Sequence, residues 1–408
     1  MRSTPPPLRA GELYASPNAL APHYSAFRVT DRVLLTGHSH QAWPDTGFDG
    51  HKRAWLDAAE LVDAKWERVE EMSEHVRAGF RALMGGCDGD LALDTNTHTL
   101  IVRLLSAMPL KERPRIVTTQ GEFHSIRRQV DRLAEEGIEV SRVAVEPVGT
   151  LAGRVAAEVD DRTACVLISS VLFGSGRIVP DLPAVAAACD RHGAELLVDA
   201  YHSLGVVPLT LEGIERAFVV GGGYKYCQLG EGNCVLRIPP GCRLRPVVTG
   251  WFSEFAELAE GSRPGEVRYG TGHARFAGST FEPTSRYRAA AVFDFFAERG
   301  LDVPLLREVS QHQVGLLAQR FQELDLDPAA VRLESQAPLE QRGGFLALRA
   351  PDARALSEEL LTRNVHTDFR GDVLRLGPAP YVSDAQLEAA IDALGAVVRG
   401  RAASRSHG

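Results

Sequence analysis

Of the 45 Lys and Arg residues in this 408-residue chain, only Lys52, Lys65, Lys111 and Lys225 are lysine. Arginine stands almost wherever a cation suffices. The few lysines are therefore enriched for places that need a primary amine, and an imine with a carbonyl compound is one such need. Lys225 closes the run Phe218-Val219-Val220-Gly221-Gly222-Gly223-Tyr224-Lys225, which reads as a buried strand followed by glycines and then the lysine. Glycines let the backbone approach a flat ligand closely. Twenty-six residues earlier, Leu196-Leu197-Val198-Asp199-Ala200-Tyr201-His202 has the same form, an apolar run that delivers Asp199 at its end. Open α/β sheets bind their ligands at that edge. An acid to pair with a protonated pyridine nitrogen, plus a lysine to form the imine, is the minimum equipment for pyridoxal 5′-phosphate (PLP). An ordinary strand-end acid and a surface lysine would also fit the types, but not the lysine scarcity and the matched contexts.

A third element lies upstream. Leu93-Asp94-Thr95-Asn96-Thr97-His98-Thr99-Leu100 is a polar cluster opening a helix. Hydroxyls and backbone N–H groups at such a start can hold a phosphate, although most such clusters only cap the helix.

In this order the motifs resemble the class V aminotransferase branch of the fold-type I PLP enzymes, and within it the kynureninase-like branch. The resemblance spans roughly residues 30–395. It is strongest at Asp199-Ala200-Tyr201-His202-Ser203-Leu204-Gly205, Tyr224-Lys225-Tyr226, Gly250-Trp251-Phe252 and Leu374-Arg375-Leu376-Gly377-Pro378-Ala379-Pro380-Tyr381. It implies that Lys225 is the imine lysine, that Asp199 pairs with the pyridine nitrogen and that His202 lies near the cofactor's oxygens. Tyr224, Asn96 and Thr97 fall on phosphate-binding positions, and Phe123 falls where an aromatic ring stacks on the cofactor. Trp251 and Thr280 fall on residues that reach the phosphate in the neighbouring subunit, which implies a homodimer with shared active sites. Arg375 falls on the arginine that clamps the substrate's α-carboxylate, a task suited to its planar fork.

Departures concentrate around the substrate. The family's first loop reads Gly-Asn-Ser-Leu-Gly, where this chain has Gly37-His38-Ser39-His40-Gln41. Ile126 stands where the family has an acid, and Leu172-Phe173-Gly174 replaces an Asn-Tyr pair with a following basic residue. Gln228-Leu229-Gly230-Glu231-Gly232 replaces Asn-x-x-Pro-Gly. The cofactor chemistry thus carries over better than the substrate. His38, Ser39 and His40 are candidates for substrate contact because the family places this loop over the site. Polar filling of the loop is the alternative, and no third ligand at a useful spacing favours a metal. The implied activity is cleavage of a bond to the β-substituent of an α-amino acid, by hydrolysis or as a C–S lyase. A decarboxylating or oxidatively deaminating enzyme of specialised metabolism, an aminotransferase and a non-catalytic PLP-binding regulator remain open.

These residues need a scaffold. Between about 90 and 250, short β-branched runs alternate with helical stretches: strands at 115–118, 140–145, 164–168, 195–198, 217–220 and 234–237, and helices at 97–107, 125–136, 149–159 and 182–192. That alternation predicts an α/β fold, a large domain with a mostly parallel sheet of the seven-stranded type between helices. A helix from Pro283 to Arg299 and strands at 331–333, 344–348 and 373–376 predict a smaller α+β domain. The expected division is an N-terminal arm and active-site loop over 1–65, a large PLP-binding domain over 66–282 and a small domain over 283–408. The arm is expected to be extended apart from a strand at 32–35. One amphipathic helix is expected over 51–83 with Trp55 and Trp66 on its apolar stripe, and the polar tail 399–408 to be disordered.

A net charge of −8 and the absence of a basic run argue against nucleic acid as a partner. No window approaches the roughly 18 uninterrupted apolar residues of a membrane span, and the Pro-rich start is no secretory signal. Cytoplasm is the expected location. The six cysteines follow no metal-ligand spacing and read as isolated thiols.

Overall fold

The computed structural model describes residues 6–260 and 265–406. Its centre is a sheet of seven strands: β1 Asp90–Asp94, β2 Arg115–Thr119, β3 Glu139–Val143, β4 Thr163–Ser169, β5 Glu195–Asp199, β6 Phe218–Gly222 and β7 Cys234–Ile238. Their order across the sheet is β1-β7-β6-β5-β4-β2-β3. Only β7 runs antiparallel to its neighbours, β6 and β1. Strands β4, β6 and β7 are buried along their whole length, as strands covered on both faces must be. Side chains alternate between two cores: Val166 and Ile168 pack on one face, Cys165 and Leu167 on the other.

β1 was not predicted. Asp-Leu-Ala-Leu-Asp is bounded by acids and lies at the sheet edge, where one exposed end weakens the apolar signal. The predicted helix over 51–83 is two helices, Thr46–Leu61 and Lys65–Leu83. Val62 breaks the run with φ 52°, and Trp55 is 78% exposed rather than part of a buried stripe. Trp66 does pack inward, on Phe252 and Phe281. The arm is not extended either. It forms helical turns at Ala10–Tyr14 and Ala21–Phe27, which bury Leu13, Leu20 and Tyr24; residues 1–5 lie outside the described residues.

A four-stranded antiparallel sheet follows, in the order 368–370, 373–376, 346–349, 332–333. Helix Val303–Glu323, which was not predicted, packs against helix Asp384–Ser406. That last helix corrects the disordered tail. Its apolar face buries Val397 and Val398, and Arg401 pairs with Asp352 and Glu359, which hold its final turns in place. Residues 407–408 lie outside the described residues. Strand Val33–Leu34 pairs in parallel with Val365–His366, and Thr36 bridges Gly377. This pinning sets the 37–41 loop beside the large sheet, where Gln41 N–H donates to the Tyr224 carbonyl at 3.3 Å. No helix among the described residues is long and apolar enough to cross a membrane.

Candidate active site

The parallel strands end at one edge of the sheet, and the chemistry collects there. β5 ends in Asp199. Lys225 follows three residues after β6, and Phe123 sits between β2 and the helix His124–Glu135. Register puts Ser169, Asp199 and Val220 side by side. A cavity of about 320 Å³ opens at this edge, and Asn96, Thr97, Phe123, Asp199, His202, Tyr224 and Lys225 all line it. Seven of the predicted residues therefore meet in one place. Thr95 and His98 complete the helix start on its wall.

Lys225 is buried, and its Nζ lies 2.7 Å from His202 Nε2. Three aromatic rings surround the amine, with centroids at 4.6 Å (Tyr201), 5.6 Å (Phe123) and 6.0 Å (Tyr224). Burial pulls its pKa from the ordinary lysine value down to about 7; Asp199 pushes it up and Arg375 down. Near neutral pH a large share of this amine is uncharged and nucleophilic. Burial likewise drives His202 well below the usual imidazole range, with Lys225, His38 and Arg375 adding to the effect. A neutral His202 can accept from the Lys225 ammonium through Nε2. Its Nδ1 is buried without a partner. Asp199 accepts from the Tyr201 backbone N–H at 2.8 Å, while burial raises its carboxyl above the usual range. A buried carboxylate held this way gains from a cationic partner such as a pyridinium N–H.

These features fit PLP. The chain offers an uncharged amine for the aldehyde and a carboxylate at a strand end for the ring nitrogen. Phe123 gives a ring for stacking, and His202 Nδ1 is an orphaned polar atom. The first turn of helix Thr97–Ser106 lies on the wall, where its leading N–H groups lack intrahelical partners. Asn96 caps that helix by accepting from Thr99 N–H at 2.9 Å.

The other predicted residues stand outside the lining. Arg375 is buried, not solvated. It donates to the Phe173 carbonyl at 2.7 Å, and Phe173 itself lines the cavity. His38 is buried beside it with both ring nitrogens unpartnered, and desolvation holds its pKa well below the usual value. Phe345 joins these groups: its ring lies 4.7 Å from the His38 ring, 5.7 Å from the His202 ring and 5.6 Å from the Arg375 guanidinium. His40 is exposed and stacks on Tyr224 at 4.9 Å, and Ser39 Oγ lies 3.3 Å from His40 Nδ1. Trp251 and Thr280 are exposed and do not line this cavity.

Sequence reasoning passed over Phe345, Asp368 and Glu122. Glu122 is buried beneath the site, accepting from Thr119 and Ser169 hydroxyls at 2.6 Å each. Burial raises its pKa to about 7, against the pull of those bonds. Its place next to Phe123 was the only available signal. The Asp368 signal was the hairpin Asp368-Phe369-Arg370-Gly371-Asp372-Val373-Leu374-Arg375, whose ends must face one another. Five of the six cysteines are buried, and all six are free thiols.

Known proteins supply independent context. Residues 74–249 match the class V aminotransferase family, and residues 306–394 match the kynureninase C-terminal domain. The chain is 26% identical to a kynureninase of Pseudomonas fluorescens over 412 residues, covering 93% of each chain. It is 26% identical to a kynureninase of Deinococcus radiodurans over 358 residues, covering 85% of this chain and 82% of the other. Among solved structures, the cystine C–S lyase C-DES in complex with cysteine persulfide superposes with a TM-score of 0.78 at 16% identity, covering 91% of this chain and 99% of that one. A cysteine desulfurase from Thermococcus onnurineus gives 0.76 at 16% identity, covering 91% and 96%. The structures share the fold.

Proposed function

Because the chain belongs to the class V aminotransferase family, in its kynureninase-like branch, and is accordingly a PLP-dependent enzyme acting on an amino acid, we propose that it cleaves the bond between the β-carbon and its substituent. Hydrolysis of a kynurenine-type substrate and elimination from an S-substituted cysteine are the two forms of that reaction. The observation that carries the reading is the buried Lys225 amine, about half of it uncharged at pH 7, at the strand-end cavity with Asp199 and His202. The kynureninases and the cystine C–S lyase similar to this chain support β-bond cleavage over transamination.

PLP, when bound, supplies an aldehyde carbon that condenses with an amine and a ring that accepts the α-carbon's electron pair. The residues proposed to hold it are Lys225, Asp199, Phe123, Tyr224, Asn96, Thr97 and His202. Asp199 holds the proton on the ring nitrogen. Arg375 binds the α-carboxylate through its fork. Lys225 Nζ takes the α-proton as general base and returns it as general acid, with a pKa of about 7. His202 Nε2, 2.7 Å away, steadies that ammonium. Ile126, Val171 and Phe173 add apolar surface to the cavity lining, which favours an alkyl or aromatic β-substituent over a charged one. His38, Ser39 and His40 stand on the substrate side.

The same reading keeps the division at residues 65 and 282, the cytoplasm as location and a homodimer in which Trp251 and Thr280 serve the partner's cofactor. Incubation with L-kynurenine, 3-hydroxykynurenine and S-substituted cysteines, read by mass spectrometry, tests the reaction. Anthranilate products or pyruvate with a thiol support it. Loss of carbon dioxide, or a keto-acid that retains the β-substituent, overturns it.

A further inference from the structure

The carboxylate on Arg375 is the protein's own. Asp368 Oδ1 accepts from Arg375 Nη2 at 2.9 Å, and Arg375 Nη1 is taken by the Phe173 carbonyl at 2.7 Å. Nε is buried without a partner. Both acid and guanidinium are withdrawn from water, with side chains 9% and 3% exposed. Two of the five N–H groups of the fork are thus engaged by the protein itself, one of them by a carboxylate, so an incoming α-carboxylate meets a like charge already seated on Nη2.

The pairing follows from the hairpin. Asp368 and Arg375 are opposite partners across strands 368–370 and 373–376, so their side chains meet on one face. Arg370, two residues from Asp368, shares that face. Asp368 Oδ1 accepts from Arg370 Nη1 as well, at 3.0 Å. Arg370 is 46% exposed and borders a shallow hollow of about 300 Å³ with Asp368, Ser39 and His40. One carboxylate oxygen is thus shared between a buried arginine and a solvent-side arginine. Strand 368–370 is the three-residue edge of its sheet, where few ladder bonds resist a shift.

We propose that Asp368 is a displaceable internal counter-ion: it occupies the Arg375 fork until a substrate carboxylate arrives, and then rests on Arg370. This rests on the reading of Arg375 as the carboxylate site. It makes Asp368 and Arg370 positioning residues that set how strictly the enzyme demands a carboxylate. Without a ligand, Asp368 keeps a buried guanidinium paired, which an empty fork would not.

The test titrates the visible band of the PLP-loaded enzyme with glycine and with methylamine, which differ only by the carboxylate. The ratio of their dissociation constants reports on the fork. Asp368→Asn and Asp368→Ala should each increase the preference for glycine about tenfold, the value of about one charge-assisted hydrogen bond. Arg370→Met should decrease it, because Asp368 then has no second resting place. A preference that is unchanged or lower in both Asp368 variants, or no saturable response to glycine in any of them, overturns the proposal. A merely orienting Asp368 would give that lower preference. Arg375→Met separates the two readings. If it leaves the glycine preference at the wild-type level, Arg375 is not the carboxylate site and the underlying reading fails. If it abolishes the preference while the Asp368 variants do not raise it, only the counter-ion fails.

Discussion

Capture of PLP by the apoprotein should follow the ionisation of Lys225, because only the uncharged amine attacks the aldehyde. The residue's pKa is lowered to about 7, chiefly by burial. A lysine at its ordinary value near 10.5 has about one uncharged molecule in 3,000 at pH 7, against about half for Lys225, a gain of roughly 10³. The sign is that of a cation with a depressed pKa: the reactive form dominates above pH 7 and declines about tenfold per unit below it. Stopped-flow absorbance at fixed PLP should therefore give a rate that rises to pH 7 and then levels. Free pyridoxal in parallel removes the contribution of the cofactor's phosphate ionisation. Asp199 raises the Lys225 pKa and Arg375 lowers it, so Asp199→Asn should move the midpoint to lower pH and Arg375→Met to higher pH. A rate that keeps climbing through pH 9 would show an ordinary, solvated lysine. It would remove the argument that burial activates it.

Two further outcomes are expected. Glu122, with a pKa of about 7 against an unfolded value near 4.5, favours folding when protonated. That contribution is present below pH 4.5 and lost as pH rises through 7, about 3 kcal/mol in all. Urea titrations of apo Glu122→Gln should then show the variant gaining on the wild type between pH 5 and pH 8, and a constant difference would refute the buried titration. For the shared site, mixing inactive Lys225→Ala subunits with inactive Trp251→Ala/Thr280→Ala subunits should restore part of the activity, since one of the two sites in a heterodimer is then complete. Full activity in a monomer at micromolar concentration would exclude sharing.

The sheet was readable because βαβ strands buried on both faces leave continuous apolar runs, as in Thr163–Ser169 and Phe218–Gly222. Asp90–Asp94 was not, because an acid-bounded edge strand lacks that run. The Lys225 and Asp199 pair stood out through lysine scarcity and strand-end position. Arg375 was legible as an arginine between leucines, whereas its pairing with Asp368 depends on hairpin register. The break at Val62 is a single residue with positive φ inside a continuous helical pattern, and composition carries no mark of it. Phe345 reaches His38, His202 and Arg375 only through the tertiary packing of the small sheet against the large one, which a linear sequence does not display.

Borohydride reduction of the PLP-loaded protein, followed by peptide mapping, tests the central claim most directly. The account predicts loss of the visible band, with the reduced cofactor attached to Lys225 in the peptide that contains Gly223-Tyr224-Lys225-Tyr226. A Lys225→Ala protein should give no such adduct. Reduction onto Lys52, Lys65 or Lys111, or an unchanged adduct in the Lys225→Ala protein, would contradict it.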